Sequence, residues 1–215
     1  NALIQNRRSA RQFTNEKVTD AVCAELESYY RGGCQKLVPQ ISTELRFFGS
    51  QSRQALERAA GYNEFLVGAP QYLVLLSEKA EHLYENAGFM MEDLVLKLED
   101  MDLGSCWLTF TDSKSIKDAL GIDSPLEVAA VAAFGYPQKA RKNMRFNVLS
   151  MTNVDMAAKR HYFDPKRPVG DMVFMDTWGE TKGRDEYIGF YDDMLWEAFF
   201  AASMSPSYLN RQAYG

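Results

Sequence analysis

Residues 83–107 read LYENAGFMMEDLVLKLEDMDLGSCW, the longest regular pattern that we find in the sequence. Its apolar residues recur three or four positions apart, which predicts one amphipathic helix from about Lys79 to Leu103. The apolar stripe consists of Leu83, Ala87, Met91, Leu94, Leu98 and Met101. Met90 and Val95 widen the stripe, so we expect contacts on more than one side of the helix. Gly104 is predicted to end the helix in the left-handed conformation that glycine adopts readily.

Two short apolar runs, one on each side of this helix in the sequence, read as buried strands. Pro70 opens the first run, Tyr72–Leu76, and the second run extends from Leu126 to Phe134 before Gly135-Tyr136-Pro137 turns the chain. Shorter helices are predicted near 2–6, 18–32, 51–60 and 113–120, with a last one from roughly Tyr187 to Met204.

The composition is that of an ordinary globular protein. Its 215 residues are 46% hydrophobic and 25% charged, which suits one domain of substantial size. A net charge of −5 argues against nucleic-acid binding, and no segment approaches the roughly 18 apolar residues of a membrane span. Three cysteines without a CxxC pair argue against a disulfide framework. We therefore expect a cytoplasmic protein whose partner is a small molecule.

We expect residues 1–215 to form a single domain. Residues 138–185 combine charges with Pro165, Pro168 and Gly170, and are predicted to be an irregular arm or linker. After Gln212 the chain stops in a stretch that reads as the start of a strand. We therefore expect the natural chain to continue beyond Gly215.

Two polar segments at opposite ends of the chain are candidates for one ligand site. Arg7, Arg8 and Arg11 surround Ser9, and guanidinium groups pair well with the oxygens of a phosphate monoester. Near the other end, Ser205 to Gln212 includes Asn and Gln amides, which offer donors and acceptors to the edge of a heterocycle. Taken locally, the first segment also fits a solvated basic helix end, and the second fits a turn with a cap.

A third candidate segment follows the long helix. Gly104 can bring the backbone close to a ligand, and an N–H after Trp107 could hydrogen-bond a redox-active ring nitrogen. A helix cap with a buried tryptophan explains the same residues. The two histidines are far apart, so metal binding and histidine-based catalysis are poorly supported. The acidic residues of the long helix, Glu92 among them, read as its solvated face.

Together these segments resemble the FMN-dependent nitroreductase family. Arg-Arg-Ser-x-Arg-x-Phe at 7–13 is similar to that family's N-terminal signature, and 85–107 to its central helix with a Gly-x-Gly-x-Cys-Trp ending, in which Asp102 replaces the first Gly. Residues 205–212 resemble its Pro-Ser-x-x-Asn-x-Gln motif. Here that motif comes last in the chain, as in a smaller nitroreductase subgroup of the thermophile type, and Ala213 and Tyr214 replace the family's Pro and Trp.

The resemblance implies a fold and a set of ligand contacts. The fold is α+β and nitroreductase-like: a mostly antiparallel central sheet surrounded by helices, with one long central helix. The cofactor would be FMN, with NAD(P)H as the reductant and no metal. The residues implied for flavin binding are Arg7, Arg8, Ser9, Arg11, Leu108, Thr109, Lys139, Arg141, Pro206, Ser207, Asn210 and Gln212. No side chain is implied as catalytic, because the flavin carries the chemistry.

The implied activity is NAD(P)H-dependent reduction of nitroaromatic, quinone-like or related small acceptors at one flavin site. A homodimer is expected, and either the same chain or a second one could supply Ser207 and Asn210. Three alternatives stay open: a different flavin reaction such as reductive dehalogenation or flavin breakdown, a flavin- or partner-binding protein without turnover, and a structural domain with a basic surface.

Overall fold

The computed structural model describes residues 2–61, 65–138, 144–150, 153–158, 166–174, 177–180, 193–207 and 211–212. The chain divides into two compact units, Asn1–Gln138 and Lys139–Gly215, which are described separately below. The expectation of a single domain stays a prediction.

The first unit is built on a four-stranded antiparallel sheet. Its strands are β1 (Thr43–Gly49), β2 (Gln71–Ser77), β3 (Gly104–Leu108) and β4 (Glu127–Gly135), in the spatial order β1-β2-β4-β3. The two predicted apolar runs are the two central strands, β2 and β4, which pair in register from Gln71 opposite Phe134. A bulge between Leu75 and Leu76 shifts that register. The predicted α+β fold with a mostly antiparallel sheet is confirmed.

The side chains of β2 alternate between the two faces of the sheet and so contribute to two separate parts of the core. Tyr72, Val74 and Leu76 join one cluster of buried residues, whereas Leu73 and Leu75 join the other. All five side chains are fully buried, because successive residues of a strand point to opposite faces and both faces are covered.

Helices cover both faces of this sheet. They are α1 (Ala2–Asn6), α2 (Asp20–Gly32), α3 (Arg53–Leu56), α4 (Leu83–Asp100) and α5 (Ser113–Leu120), with a 3-10 turn at Ser50–Ser52. The core residues of α2 and α4 pack with one cluster, and those of α3 and α5 with the other. The helix expected over 51–60 is therefore only a 3-10 turn followed by the four residues of α3.

The long helix α4 is shorter than its pattern suggested. It begins at Leu83, after His82 with a positive φ of 63°, and ends at Asp100. Met90 and Val95 are both fully buried, as the widened stripe predicted. The prediction that Gly104 caps the helix was wrong. Asp102 takes the left-handed conformation, with φ 58°, and Gly104 is already the first residue of β3.

The second unit contains a hairpin and a helix. Strands β5 (Met144–Ser150) and β6 (Asn153–Ala158) pair antiparallel, and helix α6 spans Asp193–Ser203 after a 3-10 turn at Val169–Asp171. The range 138–185 is thus not irregular throughout, because the period-two alternation in 144–150 outweighs the breakers that follow it. Its role as an arm or linker stays a prediction. No helix among the described residues combines the length and apolarity of a membrane span.

Candidate functional site

The Arg-rich N-terminal segment lies against the edge of the sheet formed by β3. Ser9 forms a parallel bridge with Ser105, and the Ala10 N–H donates to the Ser105 carbonyl at 2.8 Å. Further along, the Thr14 N–H donates to the carbonyl of Tyr136 at 2.8 Å. Backbone bonds of this kind fix the register of the segment. The N-terminal signature and the Gly104–Trp107 motif, although far apart in sequence, are therefore neighbours in the fold.

Glycine at 104 is what permits this close approach. A Cβ at this position would lie 2.7 Å from Ala10 Cβ and 2.9 Å from Pro137 Cβ. Ordinary contacts between carbon atoms are at about 3.5–4.0 Å, so any side chain would push the N-terminal segment or the Pro137 turn away from β3. The physical role of Gly104 is thus close packing.

Arg7 is buried and already has an acidic partner. Its side chain is 8% exposed, and its Nε lies 3.2 Å from Oε1 of Glu92, on α4. The other oxygen of the same carboxylate, Oε2, accepts a hydrogen bond from Trp107 Nε1 at 2.9 Å. Sequence reasoning assigned Glu92 to the solvated face of the helix, and that assignment was wrong. No local pattern could have revealed its role, because both partners lie outside α4.

The other polar residues of the segment differ in exposure. Arg8 and Ser9 are both half-buried, whereas Arg11 is exposed. Arg8 Nη1 donates a hydrogen bond to the Arg7 carbonyl. Arg7 and Arg8 also act on Glu99: burial raises the pKa of that carboxyl and the two guanidinium groups oppose the rise. The guanidinium groups of Arg7 and Arg8 are therefore close enough to act on the charge of Glu99, near the end of α4.

The surroundings of Cys106 favour a packing role over a nucleophilic one. Burial raises the pKa of its thiol, and the nearby charges of Arg11 and Arg7 only partly offset that rise. A thiol with a raised pKa stays protonated at neutral pH and is a poor nucleophile. The interpretation of Cys106 as a small hydrophobe agrees with this environment.

Leu108 and Thr109 stand at the far end of β3. Leu108 is buried, whereas Thr109 is exposed and its hydroxyl donates to the Gly61 carbonyl at 2.8 Å. The Gly61 N–H donates in turn to the Thr109 carbonyl at 2.7 Å. Gly61 has a φ of 101°, a conformation that side chains rarely tolerate, so this pairing also depends on a glycine. Contact of either backbone with a flavin stays a prediction.

Two of the C-terminal candidate residues, Ser207 and Gln212, contact each other in the second unit. The Gln212 N–H donates to the Ser207 hydroxyl at 2.9 Å, and the Gln212 side-chain oxygen accepts from the Arg167 N–H at 2.7 Å. Gln212 is 7% exposed, while Pro206 and Ser207 are half-buried. Lys139, Arg141 and Asn210 lie outside the described residues. That Pro206, Ser207, Asn210 and Gln212 share one site with the Arg7–Arg11 segment stays a prediction.

Among the described residues, no group of three or more His, Cys, Asp or Glu side chains is arranged to hold a metal ion. His82 is exposed immediately before α4, and its imidazole lies 3.6 Å from Glu81 Oε1 and 3.4 Å from Glu85 Oε1.

The sheet, the buried long helix and the docked Arg-rich segment define an α+β protein of the nitroreductase class. The family model described as "Putative TM nitroreductase" matches residues 1–165, and the chain belongs to that family. No curated protein matches the chain.

Three solved structures illustrate the fold. A "putative nitroreductase" from Thermotoga maritima matches over 98% of this chain and 67% of its own, with 19% identity and a TM-score of 0.57. An FMN-dependent nitroreductase from Clostridium difficile matches over 66% and 90%, with 20% identity and a TM-score of 0.52. A protein from Bacteroides thetaiotaomicron, described as "Putative NADH dehydrogenase/NAD(P)H nitroreductase", matches over 66% and 89%, with 18% identity and a TM-score of 0.52. At these identities the likeness concerns the fold.

Proposed function

We propose that this protein is an FMN-dependent oxidoreductase that uses NAD(P)H to reduce nitroaromatic, quinone-like or related small acceptors. The observation that carries the proposal is the docking of the Arg7–Arg11 segment on β3, beside Gly104. Membership of the nitroreductase family supports it, as do the names of the C. difficile and B. thetaiotaomicron structures. As part of the same proposal, we assign the chain to the subgroup named above, in which the Pro-Ser-x-x-Asn-x-Gln motif is displaced along the chain.

The donor set suits a flavin phosphate. Guanidinium groups at Arg7, Arg8 and Arg11 would neutralise a phosphate, and the Ser9 hydroxyl would add a hydrogen bond. Backbone groups at Leu108 and Thr109 would lie along the ring system. From the other motif, Pro206, Ser207, Asn210 and Gln212 would complete the contacts, with Lys139 and Arg141 adding charge at the phosphate.

FMN, when bound, would supply the redox chemistry, namely acceptance of a hydride from NAD(P)H and donation of electrons to the acceptor. The protein's own contribution would be position, charge and exclusion of water. We further propose a homodimer in the cytoplasm, which light scattering of the purified protein and fractionation of the source cells would test.

Arg11 provides the sharpest test of the cofactor. It is exposed, so Arg11→Ala should leave the fold intact while removing a phosphate contact. A charge-assisted hydrogen bond contributes roughly 1.5–3 kcal/mol, so the Kd for FMN should rise at least about tenfold. Arg31→Ala is the matched control, because Arg31 is an exposed arginine on α2 whose partner is Glu27.

Three results would contradict the proposal at different points. If the unmodified chain binds no FMN, the flavin function is wrong. If Arg11→Ala and Arg31→Ala retain FMN equally, the assigned phosphate contact is wrong. If FMN binds but anaerobic NAD(P)H does not bleach its absorbance, a flavin-binding protein without turnover replaces the enzyme.

A further inference from the structure

One carboxylate on α4 joins two segments of the proposed flavin site. Glu92 Oε1 lies 3.2 Å from Arg7 Nε, and Glu92 Oε2 accepts from Trp107 Nε1 at 2.9 Å. Arg7 belongs to the N-terminal signature and Trp107 to β3, so each oxygen of the carboxylate contacts a different segment.

The helix gives this carboxylate a firm support. Met91, Leu94 and Val95, its neighbours on α4, are all fully buried. A backbone held by such packing leaves few positions for the Glu92 side chain, and its ion pair with Arg7 and the hydrogen bond from Trp107 restrict it further. The Arg7 side chain is long, has several rotatable bonds and is only 8% exposed. Its guanidinium group therefore depends on a partner to fix its orientation.

The geometry of the ion pair also determines which edge of Arg7 is available to a ligand. Glu92 meets the guanidinium at Nε. A phosphate would therefore be met by the terminal Nη groups, which form the other edge of the planar fork. Glu92 would repel the phosphate by charge, so positioning and repulsion have opposite effects on FMN affinity. If removal of the Glu92 charge lowers FMN affinity, positioning is the larger effect; if it raises FMN affinity, repulsion is the larger effect.

We propose that Glu92 is a positioning residue: it orients Arg7 toward the flavin phosphate, a role that rests on the proposed flavin function. Because the role acts through the phosphate-binding edge of Arg7, it concerns FMN and not riboflavin, which has the same ring system and no phosphate. The ratio of the two dissociation constants is thus the readout, since general damage to the fold would weaken both ligands together.

The test compares Glu92→Gln with Asp93→Asn in the full chain. Asp93 is the next residue on the same helix, but its carboxylate accepts from Tyr29 of α2 at 2.9 Å, so its variant removes the same charge without touching Arg7. For Glu92→Gln we expect the preference for FMN over riboflavin to fall about tenfold, the value of one charge-assisted hydrogen bond. Asp93→Asn should leave the preference within about twofold, as expected for a charge change that touches no ligand contact.

A second measurement, in a chain that already carries Arg7→Gln, keeps the test decisive if Glu92→Gln alone folds poorly. The double variant Arg7→Gln/Glu92→Gln leaves no unpaired buried charge at this pair, and adding Glu92→Gln to Arg7→Gln should not change the FMN preference further. An equal loss in both backgrounds would overturn the role, because Glu92 would then act without Arg7. So would an unchanged or increased preference in Glu92→Gln alone. Failure of the unmodified chain to bind FMN would overturn the positioning role and the flavin function together, whereas the other outcomes leave the flavin function standing.

Discussion

Gly104→Ala is the change that most directly tests how the N-terminal segment docks. The new methyl group would stand 2.7 Å from Ala10 Cβ and 2.9 Å from Pro137 Cβ. Each contact is more than half an ångström shorter than an ordinary carbon–carbon contact of about 3.5–4.0 Å. Neither neighbour is the end of a flexible side chain, so relief requires movement of the backbone. Such movement would first lengthen the hydrogen bond from the Ala10 N–H to the Ser105 carbonyl.

The expected cost follows from this geometry. Overpacking a filled site by one methyl group typically costs about 1–3 kcal/mol, and two simultaneous contacts favour the middle of that range, about 2 kcal/mol. For a chain of this size, each kcal/mol lowers Tm by roughly 2–4 °C, so Tm should fall by about 4–8 °C. FMN affinity should fall as well, because Arg7 to Arg11 move with Ala10.

Gly88→Ala is the matched control. Gly88 lies inside α4, where a Cβ would meet nothing within 4 Å, so the same substitution should raise stability by about 0.5–1 kcal/mol through helix propensity. Differential scanning calorimetry of both variants gives the comparison. Adding Ala10→Gly to Gly104→Ala removes one of the two clashes and should restore part of the lost Tm. A Gly104→Ala protein as stable as the unmodified chain would refute the close-packing argument.

Two further predictions concern the ends of the helices in the first unit. Asp102→Val should destabilise the protein by about 1–2 kcal/mol, because a β-branched side chain is strained at the φ of 58°, whereas Asp102→Asn should be nearly neutral; equal urea midpoints for the two variants would contradict the left-handed assignment. Cys34, which follows α2, has a thiol whose pKa burial raises from 9.0 to about 12, so its contribution to stability is fully present below pH 9 and is lost as pH rises toward 12. The free energy of unfolding should therefore fall more steeply between pH 8.5 and pH 11 in the unmodified chain than in Cys34→Ala, and parallel slopes would count against this burial.

The sequence was a good guide where a regular pattern reports directly on burial. Apolar residues every third or fourth position predicted α4, and the run Tyr72–Leu76 predicted a strand covered on both faces. These predictions succeeded because periodicity and burial are two aspects of the same packing. The ends of α4 were less well predicted, because Lys79 and Leu103 both fall outside it. At the C-terminal end the apolar pattern continues to Leu103, which is buried in the core although it lies beyond the helix. At the N-terminal end residues 79–82 are exposed, and the positive φ of His82 precedes the first turn.

Contacts between distant segments were predicted only through motif resemblance. Ser9 and Ser105 are neighbours because a backbone bridge joins them, and nothing in either local sequence encodes that pairing. The resemblance supplied the association because it treats the two motifs as parts of one site. It also identified Asp102 as the replacement for a family glycine. In this chain Asp102 has a positive φ of 58°, a conformation that glycine adopts readily and that aspartate is one of the few other residues to tolerate.

Glu92 shows why the rest of the site could not be predicted. On a helical projection an acidic residue next to a buried stripe is normally solvated, and most are. What distinguishes Glu92 is that a guanidinium and an indole N–H arrive from two other segments, 85 positions before it and 15 after it. Docking of the N-terminal segment against β3 buries Arg7, and a buried arginine needs a nearby anion. Position 92 therefore requires a carboxylate as long as the segment is docked. The packing at Gly104 and the charge at Glu92 are therefore two conditions on the same docked segment, and loss of either one should displace Arg7.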